Sequence, residues 1–242
     1  MGSVRNECRW NAARRVIMLI HLTFDDGPGP QTEPLLDILY RAGVRATFFI
    51  VGKNLRNPQW TNEATTRAIL IRAIKNGHEL GNHTLSHRWE QSEREFVQDV
   101  IECDMLIADL YNQAGIPPPS LIRFRLPYGV TRSSQTAFSN GLFGPPQTII
   151  DMRMNILAGL GKTHFHWTSG FDDWLPETDS TILCERMVAH AMKIEKYGLS
   201  AVLDLHDFCE PPKLESRAAT VDAVSKFLVE ARTRGWDFFQ PA

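Results

Sequence analysis

No two cysteines of this chain stand close enough in sequence to share an ion. Cys8, Cys103, Cys184 and Cys209 are the only four and form no CxxC pair, so a cysteine-ligated zinc centre is not expected. Cys103 and Cys184 fall in segments with helical patterning and read as buried thiols; Cys209, just after "LHDF", reads the same way although it lies near a candidate site. Excess charge of one sign is missing too. Twenty-six Lys and Arg against 28 Asp and Glu leave a formal net charge of -2, with no basic run, so the electrostatic footprint of a nucleic-acid partner is lacking. Long apolar runs are also lacking near the start. "VIMLI", Val16 to Ile20, falls far short of the roughly 20 residues of a transmembrane segment. It is also shorter than the roughly 7 to 15 apolar residues of a signal-peptide core, although Arg5, Arg9, Arg14 and Arg15 precede it. The stretch reads as a first core strand, in a protein that is cytoplasmic or has lost a leader. Repeats, low-complexity tracts and linkers are absent as well. With 242 residues, 43% of them hydrophobic, there is material for one large core. The expected organisation is an N-terminal extension over 1–15 and a single domain over 16–242.

What is present alternates. "VIMLIHLTF" and "ATFFIVG" read as buried strands around a helical stretch from Pro34 to Ala42. "EATTRAILIRAIKNG" has helical periodicity and stops at Gly77, and "EREFVQDVIECDMLIADLYNQAG" is a longer amphipathic helix that ends on glycine. "LIRFRLPYG", "THFHWTSGF" and "SAVLDLHDF" read as strand ends. Helical stretches over Ser180–Lys196 and Ser216–Arg234 flank the last of these, and "WDFFQ" closes the series. Strand followed by helix, repeated, predicts a mostly parallel α/β sheet or barrel. Gly141 to Lys162, with "GLFGPP" and "AGLGK", is the least regular segment and reads as an elaborated connection.

In such folds functional groups gather at the carboxyl ends of the strands. The polar clusters fall there: Asp25-Asp26, His83 to His87, Arg125 to Tyr128, Asp172-Asp173-Trp174 and His206-Asp207. "HLTFDDGPGP" alone is compatible with a plain turn, since Asp, Gly and Pro are turn residues. His83 and His87 stand at i and i+4, a spacing that on a helical turn puts both rings on one face. A catalytic zinc takes three protein ligands and keeps an open position, and an aspartate from another strand end would complete the set. His78 reads as structural rather than as a third imidazole ligand. His21, His164 and His166 also read as structural.

"TFDDGP", "HTLSH", "RLPYG", "DDW" and "LHD", in this order, resemble the five motifs of the polysaccharide deacetylase family, the carbohydrate esterases (family 4) built on the NodB homology domain. The resemblance runs from about Thr23 to the last strand. It implies a distorted, incomplete (β/α) barrel and metal-dependent hydrolysis of an N-acetyl group on an N-acetylglucosamine-containing saccharide of chitooligosaccharide or peptidoglycan type. By position it implies Asp26, His83 and His87 as ligands of a divalent metal, zinc first, with cobalt or another divalent ion possible. It implies Asp25 as general base and His206 as the general acid that protonates the departing amine. Arg125 and Asp173 match a charged pair that holds the base, the backbone N–H of Tyr128 an oxyanion donor, and Trp174 an aromatic wall. Pro127 fixes the loop that presents Tyr128. Asp207 either orients His206 or bonds backbone.

Two departures from the family pattern bear on substrate. Where the family's motif five usually carries a leucine lining the acetyl-methyl pocket, this chain has Asp204. Either Asp204 points away and Leu205 lines the pocket, or the acyl pocket differs. Gly170 stands where many relatives carry an aspartate. A second reading therefore keeps the chemistry and changes the substrate to a small N-acylated compound or a non-saccharide amide. A third, a degenerate saccharide-binding protein, sits poorly with intact Asp25, Asp26, His83, His87 and His206.

Overall fold

β1 (Leu19–Asp25) sets the pattern on which the molecule is built. Ile20, Leu22 and Phe24 belong to the buried apolar core. His21, Thr23 and Asp25, on the opposite face, are buried and polar. A strand's side chains alternate between faces, so β1 has an apolar side for helices and a polar side for the interior of a barrel. The structure, a computed structural model, describes residues 18–56, 58–129, 147–175, 177–208 and 217–241. The expected extension over 1–15, Cys8, Cys209 and the first part of the 141–162 connection lie outside the described residues.

The remaining strands are β2 (Thr47–Ile50), β3 (Glu79–Asn82), β4 (Ser169–Gly170), β5 (Ala201–His206) and β6 (Asp237–Phe238). The order across the sheet is β3-β2-β1-β5-β4, with β6 beside β1, and the pairings are parallel. Beyond β3 the pairing dwindles to single bridges, Asn82 with Phe124 and Phe124 with His164. The chain then runs from His164 into β4, which pairs with β5. One segment thus joins the two edges, giving the distorted, incomplete (β/α) barrel that the resemblance implies, within the parallel α/β class that the strand–helix alternation predicts. "THFHWTSGF" supplies only a bridge and a two-residue strand.

Around this barrel lie α1 (Thr32–Ala42), α2 (Gly52–Arg56), α3 (Glu63–Lys75), α4 (Glu93–Ala114), α5 (Gln147–Gly159), α6 (Ser180–Glu195) and α7 (Ala218–Arg234). Local signals start and stop them. Ser92 and Glu95 form a reciprocal capping box at α4, whose C-cap is the left-handed Gly115, as expected of these residue types. α5 corrects the irregular reading of 141–162. Its buried residues, Ile150, Arg153 and Leu157, hold a helical spacing that the neighbouring glycines and prolines obscure in the sequence. No helix among the described residues is long and apolar enough to cross a membrane.

Polar side chains close the amino-terminal end of the barrel. His21 Nε2 lies 2.8 Å from Thr47 Oγ1, which donates to Glu79 Oε2 at 3.1 Å. Arg123 Nε reaches both Glu79 oxygens at 2.9 Å, and its guanidinium lies over the rings of Phe165 and Phe239. Phe165 therefore faces inward, and the flanking His164 and His166, 4.5 Å apart, lie on the other side of the strand.

Candidate active site

The carboxyl ends of β1, β3 and β5, the bridge segment at Phe124 and the turn after β4 open onto one mouth. At the end of β1 the backbone turns through a left-handed Asp26 (φ 72°), a conformation aspartate tolerates better than most residues. Asn54 Nδ2 holds the turn by donating to the Asp26 carbonyl at 2.7 Å. The reversal sends adjacent carboxyls to different partners. Gly27 is needed for close approach: a Cβ there would lie 2.5 Å from Asp207 Oδ1.

Asp26 Oδ1 lies 3.0 Å from His87 Nε2 and 3.4 Å from His83 Nε2. Among the described residues, these three offer ligand atoms all within 4.8 Å of one another. His83 and His87 do not share a helical turn. Residues 83–87 form an irregular loop with left-handed Thr84 (φ 69°) and His87 (φ 55°). Asn82 Oδ1 accepts from Thr84 N, Thr84 Oγ1 from His87 N, and Asp99 Oδ2 from Ser86 N and Oγ. These short-range bonds do the work assigned to helical spacing.

The donor set fits a divalent cation. His83 Nδ1 is engaged by the Arg125 carbonyl at 2.9 Å, which leaves Nε2 as the donor facing Asp26; such outer partners orient metal-ligating histidines. Burial alone would raise the Asp26 pKa, but hydrogen bonds from His83 and His87 hold it well below the usual carboxylate range. Two imidazoles and an ionised carboxylate suit zinc and other borderline divalent ions.

Asp25, 4% exposed, faces inward beside this cluster. Its Oδ1 accepts from Arg125 Nη1 at 2.7 Å. Arg125 is fully buried (0% exposed). The same Nη1 lies 2.9 Å from Thr23 Oγ1 and 2.7 Å from Asp204 Oδ1, while Nε donates to the Phe165 carbonyl. The ring of Phe49, 4.2 Å from the guanidinium carbon, supports the charge from below.

Across the mouth, His206 Nδ1 meets Asp173 Oδ1 at 2.7 Å. Asp173 Oδ2 accepts from the His206 backbone and from Thr220 Oγ1, each at 2.9 Å. Burial would lower the His206 pKa, yet Asp173 outweighs it and holds the imidazole well above its ordinary value. Arg217 clamps this corner: Nη1 donates to the Asp173 carbonyl, Nη2 to that of Trp174 and Nε to that of Phe208.

Several predicted residues sit otherwise than expected. Arg125 and Asp173 make no pair with each other; the arginine serves Asp25 and the aspartate serves His206. Asp207 does not orient His206. Its Oδ2 accepts from Thr32 Oγ1 at 2.5 Å, and burial pushes its carboxyl up to about 7. Leu205 lies in the apolar core between sheet and helices, so it does not line the mouth. Asp204 does, because positions 204 and 206 share the inward face of β5. Pro127 is buried in a short 3₁₀ turn in which Tyr128 is left-handed (φ 64°). The Tyr128 ring, 46% exposed, stacks beside His87 and Trp89 and donates its hydroxyl to the His87 carbonyl. Trp174, 53% exposed, stands at the opposite rim.

Sequence reasoning missed Arg217, Thr220, Asn54 and Trp89. Arg217 and Thr220 at i and i+3, opening a helix, are a faint signal. Asn54 carries none.

A family model described as polysaccharide deacetylase matches residues 15–140. A chitooligosaccharide deacetylase of Sinorhizobium fredii is 27% identical over 227 residues, covering 90% of this chain and 87% of that protein. Among solved structures, the catalytic domain of peptidoglycan N-acetylglucosamine deacetylase from Eubacterium rectale superposes with a TM-score of 0.68 at 22% identity, covering 93% of this chain and 89% of that one. A family 4 acetyl xylan esterase from Clostridium thermocellum in complex with a cobalt ion superposes with a TM-score of 0.63 at 24% identity, covering 91% and 87%.

Proposed function

The chain belongs to the polysaccharide deacetylase family, and on that premise we propose that it removes N-acetyl groups from N-acetylglucosamine-containing saccharides, of chitooligosaccharide or peptidoglycan type, with zinc as the metal and cobalt able to substitute. The observation that carries the reading is the convergence of three ligand atoms between a buried Asp25 bound to Arg125 and a His206 bound to Asp173.

Asp26, His83 and His87 would hold the ion. Bound there, a divalent cation would supply Lewis acidity to the amide carbonyl and to water. Arg125 fixes Asp25 through Oδ1, so that its other oxygen takes the proton from water as the new C–O bond forms. The Tyr128 backbone N–H donates to the developing oxyanion, a contact worth about 2.7–4 kcal/mol in comparable sites. Asp173 occupies His206 Nδ1, which leaves Nε2 to deliver a proton to the amine as the C–N bond breaks. Acetate and a free amino sugar leave. Trp174 on one rim, and Tyr128 with Trp89 on the other, offer aromatic faces to the sugar rings.

Mass-spectrometric detection of acetate loss from chitooligosaccharides and peptidoglycan fragments tests this reading. Activity should vanish with chelator and return with Zn²⁺ or Co²⁺. Full deacylation in chelator would overturn it.

A further inference from the structure

Asp204 has no part in the hydrolysis above, yet its carboxyl is packed against the reacting groups. It lies on β5 opposite Thr23, one inward position deeper than the Asp25–His206 pair, and is 6% exposed. Asp204 Oδ1 and Asp25 Oδ1 each lie 2.7 Å from the same nitrogen, Arg125 Nη1, so the two carboxyls are near neighbours. Burial and Asp25 hold the Asp204 carboxyl above its usual range, against the pull of Arg125. No described residue donates a hydrogen bond to Oδ2. That oxygen looks toward Gly170, where a Cβ would lie 3.7 Å from it and 3.6 Å from Trp167 Nε1. Gly170 itself is exposed, so the glycine leaves a way in to Oδ2.

The direction of the acyl group follows from the rest of the mouth. An amide bound for hydrolysis puts its nitrogen toward His206 and its carbonyl carbon beside Asp25. The saccharide on the nitrogen is too large to enter and must run out between the aromatic rims. The acyl carbon, on the other side of the carbonyl, then points inward. Its floor is Asp204, Trp167 and the open side of Gly170. A bare methyl group set against Oδ2 would take that oxygen out of water without giving it a partner, which is unfavourable.

We propose that this site prefers a 2-hydroxyacyl amide, an N-glycolyl amino sugar, with Asp204 Oδ2 accepting a hydrogen bond from the acyl hydroxyl. The inference rests on the deacetylase reading and narrows its acyl group. Water adds to the carbonyl carbon, the C–N bond breaks, and glycolate and the free amine are released.

N-Glycolyl, N-acetyl and N-propionyl chitotriose, offered to the zinc-loaded protein, test it through the acid released. Propionyl is the apt control because it replaces the hydroxyl of glycolyl with a methyl of similar size. The glycolyl substrate should exceed the propionyl one by about tenfold or more in kcat/KM, since sites that bond a substrate hydroxyl reject analogues lacking it. Asp204→Leu should erase that ratio. Gly170→Ala should erase it too, by setting a methyl against Oδ2, and its contacts are of ordinary van der Waals length. Its retained fold guards against a variant that merely misfolds. Acetate release with a glycolyl-to-propionyl ratio near one, or a ratio that survives both substitutions, overturns the inference alone. No acid from any of the three overturns the deacetylase reading and this inference with it.

Discussion

The two ends of the barrel each set a histidine near a carboxylate, and the two histidines differ in charge, one neutral and the other protonated. At the floor, Glu79 is already matched by Arg123, and His21 is left with the neutral hydroxyl of Thr47. Burial and the arginine charge hold the His21 pKa down to about 3. At the mouth, Asp173 is given a hydroxyl and a backbone amide but, among the described residues, no lysine or arginine for its carboxylate. Its charge falls to His206, whose pKa is raised despite burial. Whether a cation has claimed the carboxylate first decides the histidine's state. A buried polar cluster is thus no sign of function by itself. The floor is a closed chain of satisfied partners, whereas the mouth aims several groups at one space.

The largest effect expected to break the comparison is at the mouth. Asp25→Asn should lower kcat by about 10²- to 10⁴-fold, the usual worth of a positioned general base, while the melting temperature and bound metal stay near wild type. Asp204 remains to neutralise Arg125, so the fold keeps its ion pair. Glu79→Gln at the floor should do the reverse: unfolding free energy drops by about 2 kcal/mol as Arg123 loses a charged partner, and kcat of the folded fraction holds. Denaturant titration beside steady-state kinetics separates the two. Equal losses of kcat in both variants would erase the distinction between floor and mouth.

A smaller effect sharpens the acid side. Thr220→Val keeps shape and removes one of the donors to Asp173 Oδ2. The expected loss is about one hydrogen bond, roughly 1 kcal/mol, and it should appear in kcat with KM unchanged. A rise in KM alone would mean that Thr220 shapes the saccharide groove instead.

Much of this contrast is written locally. Alternation along "LIHLTFD" shows which face of β1 is polar, and short motifs at strand ends bring Asp25, Asp26, His83, His87, Arg125, Asp173 and His206 to one mouth. What the sequence hides depends on segments far apart in the chain. The loop that turns His83 and His87 toward Asp26 is pinned by Asp99 of α4, and its left-handed residues have no spacing signature. Arg217 acts through three backbone carbonyls, acceptors that every residue carries, so no pattern of residue types announces it. Asp204 was visible as a departure. Its orientation required the register of β5 on β1, which shows that it faces the mouth while Leu205 faces the helices.

The smallest effect is a matter of slope, and it tests the two protonation states directly. His21 has a folded pKa of about 3 against 6.5 for the free side chain, so between these values the unfolded chain binds a proton that the folded chain refuses. Stability therefore falls as pH drops from about 6.5 toward 3, by about 1.4 kcal/mol per pH unit for each such group. His78, lowered to about 4 in the same way, adds to the slope. His206 has the other sign: its raised pKa contributes stability that is fully present below 6.5 and is lost as pH rises through the folded value. In urea titrations of metal-stripped protein, His21→Gln should flatten the acid slope between about pH 6 and 4 by about one proton, and His206→Gln should leave that slope in place. If His21→Gln retains the full wild-type slope, His21 is not the neutral histidine that the closed floor requires.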